Sequence, residues 1–520
     1  MNHHHDERAR LGAWELLPHR FHALPVHVAL LHTGKVLAFG GSCNDEARLT
    51  TPYQAELWDP KTSECSIVKQ DLDGDVFCAG HAFLPDGRLL AAGGTCQYDS
   101  KILGLFPLPP FAGLNHAYAF DPAAERWERV PDMAYGRWYP TLLTLGNGRV
   151  LAAAGLTERF PWAFLRALEI YTPGEGWQPL EGADRWLPLY PRFHLLPDGN
   201  VFYAGSYNTH YTFPFTLRGF PTGILNMKAR RWRYLRLPNK SQREEGASVL
   251  LPLMPPEYRP RVLLAGGGTP GGSHATSLSE IIDLSQPLPA WRHTQSARTG
   301  QFTRMEFARY YTYAVILPNR QILVVGGRSG LKGHVHEPLP GHEHHALEES
   351  FPAPDKNAVY KAELFDADSE EWTTLAAMQV DRLYHANALL LPDGRVLVVG
   401  SNPSRRVNEL RIEIYSPPYL FKGPRPVIED APSEVAYGAA FTIGTPVAED
   451  IDEVALIRPS STTHCLNTDQ RYIGLEITAR NPNQVIVQMP GNPNLAPPGY
   501  YMLFILRDGI PSVATFVRVY

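Results

Sequence analysis

Apolar and polar positions in this chain fall into short runs, and one arrangement recurs: an apolar run, a turn, a second apolar run and a glycine. The clearest copy is LLLPDGRVLVVG at 389–400, headed by Tyr384 and His385 side by side. Its Asp393-Gly394 pair supplies the positive φ that a tight turn needs, so the copy is predicted to be a β-hairpin. Six more copies precede it: LLHTGKVLAFGG (30–41), FLPDGRLLAAGG (83–94), TLGNGRVLAAAG (144–155), LLPDGNVFYAG (195–205), LLPLMPPEYRPRVLLAGGG (250–268) and VILPNRQILVVGG (315–327). After a loop of variable length, each is followed by a segment such as AELWDP, LEIYTPGEGWQPL or AELFDADSEEWTTL. Four strands per repeat make the blade of a β-propeller, and seven repeats with double glycines predict a seven-bladed, Kelch-like ring.

Trp127, Trp177, Trp232, Trp291 and Trp372 mark the fourth strands of repeats two to six, and Cys65 takes that place in the first. The seventh repeat ends at IEIYSP without one, whereas GAWELLP at 12–18 has the same form around Trp14. The N-terminal strand is therefore expected to complete the last blade and remove the free sheet edge. The propeller is predicted over 12–416, after a tail at 1–11. Beyond it, 417–520 alternates in short runs and predicts an immunoglobulin-like β-sandwich.

The inner strands of a propeller run along one axis, so equivalent positions form a ring of side chains. Counting nine residues back from each turn glycine gives Cys78, Tyr139, Tyr190 and His385; the same count gives Tyr311 in the sixth repeat, where Arg320 replaces the glycine, and Pro25 in the first. A structural repeat has no need of a thiol, phenols and an imidazole at one level. Such N/O donors taken together suit Cu(II), although each residue taken alone reads better as a plug of the channel.

Composition agrees with an all-β chain: 44% hydrophobic, 19% charged, with 43 glycines and 47 prolines. A net charge of -5 with interspersed signs gives no footprint for nucleic acid or an anionic membrane. No run reaches the roughly 20 apolar residues of a membrane helix, and the N-terminus as written lacks a secretory core. The compartment stays open. The five cysteines (Cys43, Cys65, Cys78, Cys96, Cys465) include no CxxC pair, so neither a zinc knuckle nor a disulfide framework is indicated. Cys43 and Cys96 both follow double glycines and are candidates to meet. The His-rich insertion at 334–345 reads as a solvated loop.

FCAG around Cys78, GRWYPT around Tyr139, RLYHANALLLPDGRV around Tyr384, SPPYLF at 416–421, THCLNTDQR around His464 and PGYYMLFILRDGIPSVA near the end occur in order. In these motifs and their spacing the chain resembles the copper radical oxidases, the galactose oxidase and glyoxal oxidase group, and GRWYPT resembles the glyoxal oxidase branch. The resemblance implies a Cys78–Tyr139 thioether carrying a radical, and one copper held by Tyr139, Tyr384, His385 and His464, the last from the C-terminal domain. It implies that Tyr384 is the general base, that a primary alcohol or hydrated aldehyde is oxidised, and that dioxygen leaves as hydrogen peroxide. A monomer is expected.

Galactose oxidase stacks a tryptophan on its cross-linked tyrosine from a position that is Thr157 in this chain; Trp162, or another blade, is the expected substitute. No counterpart of the carbohydrate-binding domain that precedes its propeller is expected within this sequence. Tyr190 and Arg192 fall near a substrate-contacting pair of galactose oxidase, and Tyr311 and Trp162 are further candidates for substrate contact. Cys465 is expected to be structural. Specificity is expected in the loops at 97–115, 206–222, 269–279 and 328–358. The competing reading is a non-catalytic Kelch scaffold.

Overall fold

The computed structural model describes residues 3–45, 55–68, 72–98, 111–158, 164–208, 221–240, 243–269, 274–329, 355–403 and 407–520. Seven sheets, each built on four antiparallel strands, form the blades of a propeller; the sheet of blade one carries two further strands and that of blade five one. The inner strands are His27–Leu30, Gly80–Phe83, Thr141–Thr144, Leu189–Leu195, Ala247–Leu250, Tyr313–Ile316 and Asn387–Leu390. Nearly all their side chains are buried, as the unbroken apolar runs require, because blades pack face to face on both sides. The seventh blade is finished by Ala13–Arg20, with Trp14 opposite Tyr415. The ring thus closes through the first strand of the chain. Ahead of that strand, His3–Leu11 is helical, and Arg8 lies 5.0 Å over the Phe421 ring.

A buried ion pair recurs behind the inner strands. Arg137 meets Glu169 at 2.7 Å, Arg243 meets Glu280 at 2.6 Å, Arg309 meets Glu363 at 2.7 Å and Arg382 meets Glu413 at 3.1 Å. Each guanidinium also donates to a carbonyl just after the second strand: Ala154, Gly266, Gly326 and Gly400. Each carboxylate accepts backbone N–H groups from the loop entering the blade, such as Ala134 at 2.8 Å and Lys240 at 2.9 Å. Apart from the Arg243 Nε, which has no hydrogen-bond partner among the described residues, these charges are met by carboxylate and carbonyl oxygens, the condition for burying them. They fix the approach to each inner strand.

The C-terminal region is a sandwich-like unit whose two layers share the long strand Arg471–Asn481. Val454, Leu456, Val485, Val487, Leu503, Ile505 and Val517 fill its core. From it a hairpin, Ser461–Thr463 and Leu466–Asn467, enters the propeller and pairs with the inner strand of blade one, Thr463 opposite His27.

Candidate metal centre

The residue two positions ahead of an inner strand sits in the left-handed region in five blades: Cys78 (φ 63), Tyr139 (φ 64), Glu245 (φ 54), Tyr311 (φ 63) and His385 (φ 61). Tyr190 of blade four has φ 46. The chain reverses there and turns its side chain to the axis. In blade one the position is Pro25, whose φ is locked near −65°. The inserted hairpin supplies that sector instead, with His464 at φ 48. Glu245 escapes the count from the turn because the fifth hairpin is longer; counting back from the strand start finds it.

His385 and His464 bring their Nε2 atoms to 2.9 Å, and the Cys78 Sγ lies 3.7 Å from His464 Nε2. The Tyr139 and Tyr384 hydroxyls are hydrogen-bonded to one another. Cys78, His385, His464 and Tyr139 are buried, while Tyr384 is partly exposed at the mouth. Thr463 donates its hydroxyl to the Val26 carbonyl at 2.9 Å, so it accepts the Nδ1–H of His464 at 2.6 Å and leaves Nε2 as the ligating atom.

Burial pushes the phenols of Tyr139 and Tyr384 well up; Cys78 adds to both, and Tyr384 adds to Tyr139. Burial likewise raises the Cys78 thiol and drives the His464 imidazole well down, reinforced by His385. Burial therefore favours the neutral forms of Cys78, Tyr139, Tyr384 and His464, and a bound cation is what would turn the phenols into phenolates. Two imidazole nitrogens 2.9 Å apart match cis donors on one ion at bonds of about 2.0–2.1 Å. With two phenol oxygens they form a set suited to Cu(II).

The ring stacked on Tyr139 is Trp138, with centroids 3.7 Å apart and planes at 13°. Thr157 has no ring to offer, and among the described residues Tyr190 of blade four lies 4.5 Å from the Tyr139 ring but tilted at 30°. The left-handed turn at Tyr139 folds adjacent side chains face to face, and the same device stacks Tyr384 on His385 at 3.7 Å. Phe111 stacks on the far side of Trp138 at 4.3 Å. The signal was present in GRWYPT, but a search eighteen residues downstream passes over a neighbour.

Tyr190 joins the cluster, its ring 4.9 Å from His464, and its hydroxyl donates to the Ala79 carbonyl. Tyr311 lies 5.6 Å from Tyr384. Arg192 is buried and donates to the Arg243 carbonyl at 3.0 Å. Trp162, the His-rich 334–345 segment and most of the four variable loops lie outside the described residues. Cys43 and Cys96 do not pair: the Cys43 thiol is buried against the Gly41 carbonyl, whereas Cys96 is exposed.

One layer below the cluster, His27 and His81 are buried with perpendicular rings 5.1 Å apart. Burial drives His81 down to about 3. Unfolding restores an ordinary imidazole near 6.5, so the unfolded chain takes up a proton that the fold refuses. This contribution to stability is whole above pH 6.5 and is lost as pH falls toward 3, at about 1.4 kcal/mol per pH unit. Urea unfolding of copper-free wild type and His81→Gln across that window should differ by one proton in slope; equal slopes would assign the acid sensitivity elsewhere.

Two family models match the chain: "Glyoxal oxidase N-terminus" over residues 54–419 and "Galactose oxidase-like, Early set domain" over 425–519. An aldehyde oxidase GLOX of Vitis pseudoreticulata is 27% identical, covering 98% of this chain and 97% of its own length. A WSC domain-containing protein of Arthroderma benhamiae is 30% identical over 94% of this chain, which spans 50% of that protein. Galactose oxidase of Gibberella zeae is 27% identical over 93% of this chain, which spans 65% of that enzyme. A solved structure, a fungal alcohol oxidase of the AA5 family in complex with copper, shares the fold with a TM-score of 0.78 and 24% identity, covering 98% of this chain and 100% of its own.

Proposed function

This chain belongs to the copper radical oxidase family of glyoxal oxidase and galactose oxidase, and from that premise we propose that it oxidises a primary alcohol or hydrated aldehyde by two electrons while reducing dioxygen to hydrogen peroxide. The observation that carries the reading is the convergence of two imidazoles and two phenols at one mouth, with a thiol among them.

Tyr139, Tyr384, His385 and His464 would hold one copper ion. When bound, the ion would supply Lewis acidity toward a substrate hydroxyl and one of the two electron-accepting equivalents. Tyr384, the partly exposed phenol, would take the hydroxyl proton as general base. Cys78 and Tyr139 would become linked: an S–H and a ring C–H bond break, a C–S bond forms, and two electrons and two protons pass to dioxygen. The linked pair would be the second one-electron centre. Trp138 covers one face of the Tyr139 ring and keeps water from it.

Thr463 orients His464 through one hydrogen bond. Thr463→Val keeps the shape and removes the acceptor, so copper affinity should fall about 10–100-fold in competition with a chelator. Unchanged affinity would mean that the backbone alone orients the imidazole.

Intact mass and a tryptic map before and after aerobic copper loading test the proposal. The expected result is one copper per chain, loss of two hydrogens localised to linked Cys78 and Tyr139 peptides, and peroxide release on a panel of alcohols and aldehydes. Separate peptides, with Cys78 still open to alkylation, would overturn it in favour of a binding scaffold.

A further inference from the structure

The ring around the axis has seven positions, and one of them holds a carboxylate. Glu245 stands two residues ahead of the inner strand of blade five, in the left-handed conformation shared by Cys78, Tyr139, Tyr311 and His385. It is fully buried, and its backbone carbonyl accepts the Thr312 N–H at 2.8 Å, tying it to the turn that carries Tyr311. Four other buried glutamates of the propeller, at 169, 280, 363 and 413, lie on third strands and lock arginines there. Glu245 has a different place, level with the metal cluster.

Its charge reaches across the mouth. After burial itself, Glu245 is the largest influence raising the phenols of Tyr310 and Tyr311, and it contributes at Tyr384. The opposing cation at Tyr311 is Arg328, which pairs with Asp355 at 3.1 Å. Blades four to six, which contribute Tyr190, Glu245 and Tyr311, form the arc of the ring that supplies none of the four candidate ligands.

We propose that Glu245 is a specificity-determining residue: its carboxylate accepts a hydrogen bond from a second hydroxyl of the substrate and disfavours substrates that carry a carboxylate of their own. The proposal rests on the oxidase reading and names its substrate class, which is neutral compounds bearing a second hydroxyl, geminal as in a hydrated aldehyde or vicinal as in a glycol. A hydrogen bond to a charged acceptor is worth roughly 10–100-fold in selection, and a buried like charge opposes an anion by at least as much.

The copper-loaded enzyme is assayed with two matched pairs, 1,2-propanediol against 1-propanol and glycolaldehyde against glyoxylate, in wild type, Glu245→Gln and Glu245→Asp. Wild type should favour the diol and the neutral aldehyde in kcat/KM by at least about 10-fold. In E245Q both ratios should shrink about 10-fold, mostly through KM, while E245D keeps the sign of both. Acetate, titrated into the copper-loaded protein and followed by its optical spectrum, should bind about 10-fold more tightly to E245Q. A wild type that prefers glyoxylate or 1-propanol overturns the proposal even if neither variant folds; so does a uniform loss in E245Q with unchanged ratios and acetate affinity. A protein that takes up copper but releases no peroxide on any substrate overturns the oxidase reading, and the acetate titration still reports on Glu245.

Discussion

Tyr384→Phe should lower kcat about 10²–10⁴-fold, the range for losing a positioned general base, while the protein still binds copper and still forms the Cys78–Tyr139 link. Tyr384 is the one member of the cluster that reaches solvent, so it stands where a substrate hydroxyl arrives. Burial, with Cys78 nearby, raises its phenol, and its hydroxyl shares a hydrogen bond with Tyr139. Phenylalanine keeps the stack on His385 and removes only the oxygen. Metal analysis and a peptide map separate this outcome from collapse of the site. A kcat within threefold of wild type would put the proton acceptor on another group.

The second large effect falls on stability. Glu363→Ala should destabilise the fold by about 3–5 kcal/mol, because Arg309 is left charged and buried without its counter-ion. Three donors lose their acceptor at once: the Arg309 Nε, the same guanidinium at Nη2, and the Glu306 N–H. The double variant Arg309→Met/Glu363→Leu should recover most of that loss, since two apolar side chains of similar volume satisfy one another. Denaturant unfolding of the three proteins decides it. A double variant as unstable as the single one would mean that the pair also holds the backbone turn before Tyr311, a packing role rather than an electrostatic one.

Most of the architecture was legible because the physics behind it is periodic. Alternating turns and apolar runs announce hairpins, and a strand missing at one end with a spare one at the other announces closure. Six of the seven ring positions followed from counting against the turn because the hairpins of every blade but the fifth have one length. Glu245 did not, since the PLMPPEYRPR turn lengthens its hairpin and shifts the count. Trp138 was hidden for another reason: stacking between sequence neighbours depends on a left-handed residue, which no pattern of side-chain types encodes outside glycine. The arginine–glutamate pairs were equally silent, as their partners lie 31 to 54 residues apart in sequence and charge alone reads as surface. His464 was legible only through family motifs, because nothing in the propeller repeat specifies an insertion from outside it.

Closure of the ring by its first strand sets a schedule for the nascent chain. Ala13 pairs with Ser416, so the strand made first waits while about 400 residues are added, roughly 20–80 s at ~5–20 residues per second. Through that interval two unpaired edges, one at each end of the growing blade series, face other ribosomal products. His464 emerges later still, and its hairpin must insert beside His27 before four candidate ligands stand together. The metal is therefore a client of the finished protein and can take no part in guiding the propeller shut. An expression host with too little copper should yield a closed, soluble apoprotein that can be activated afterwards, rather than an aggregate.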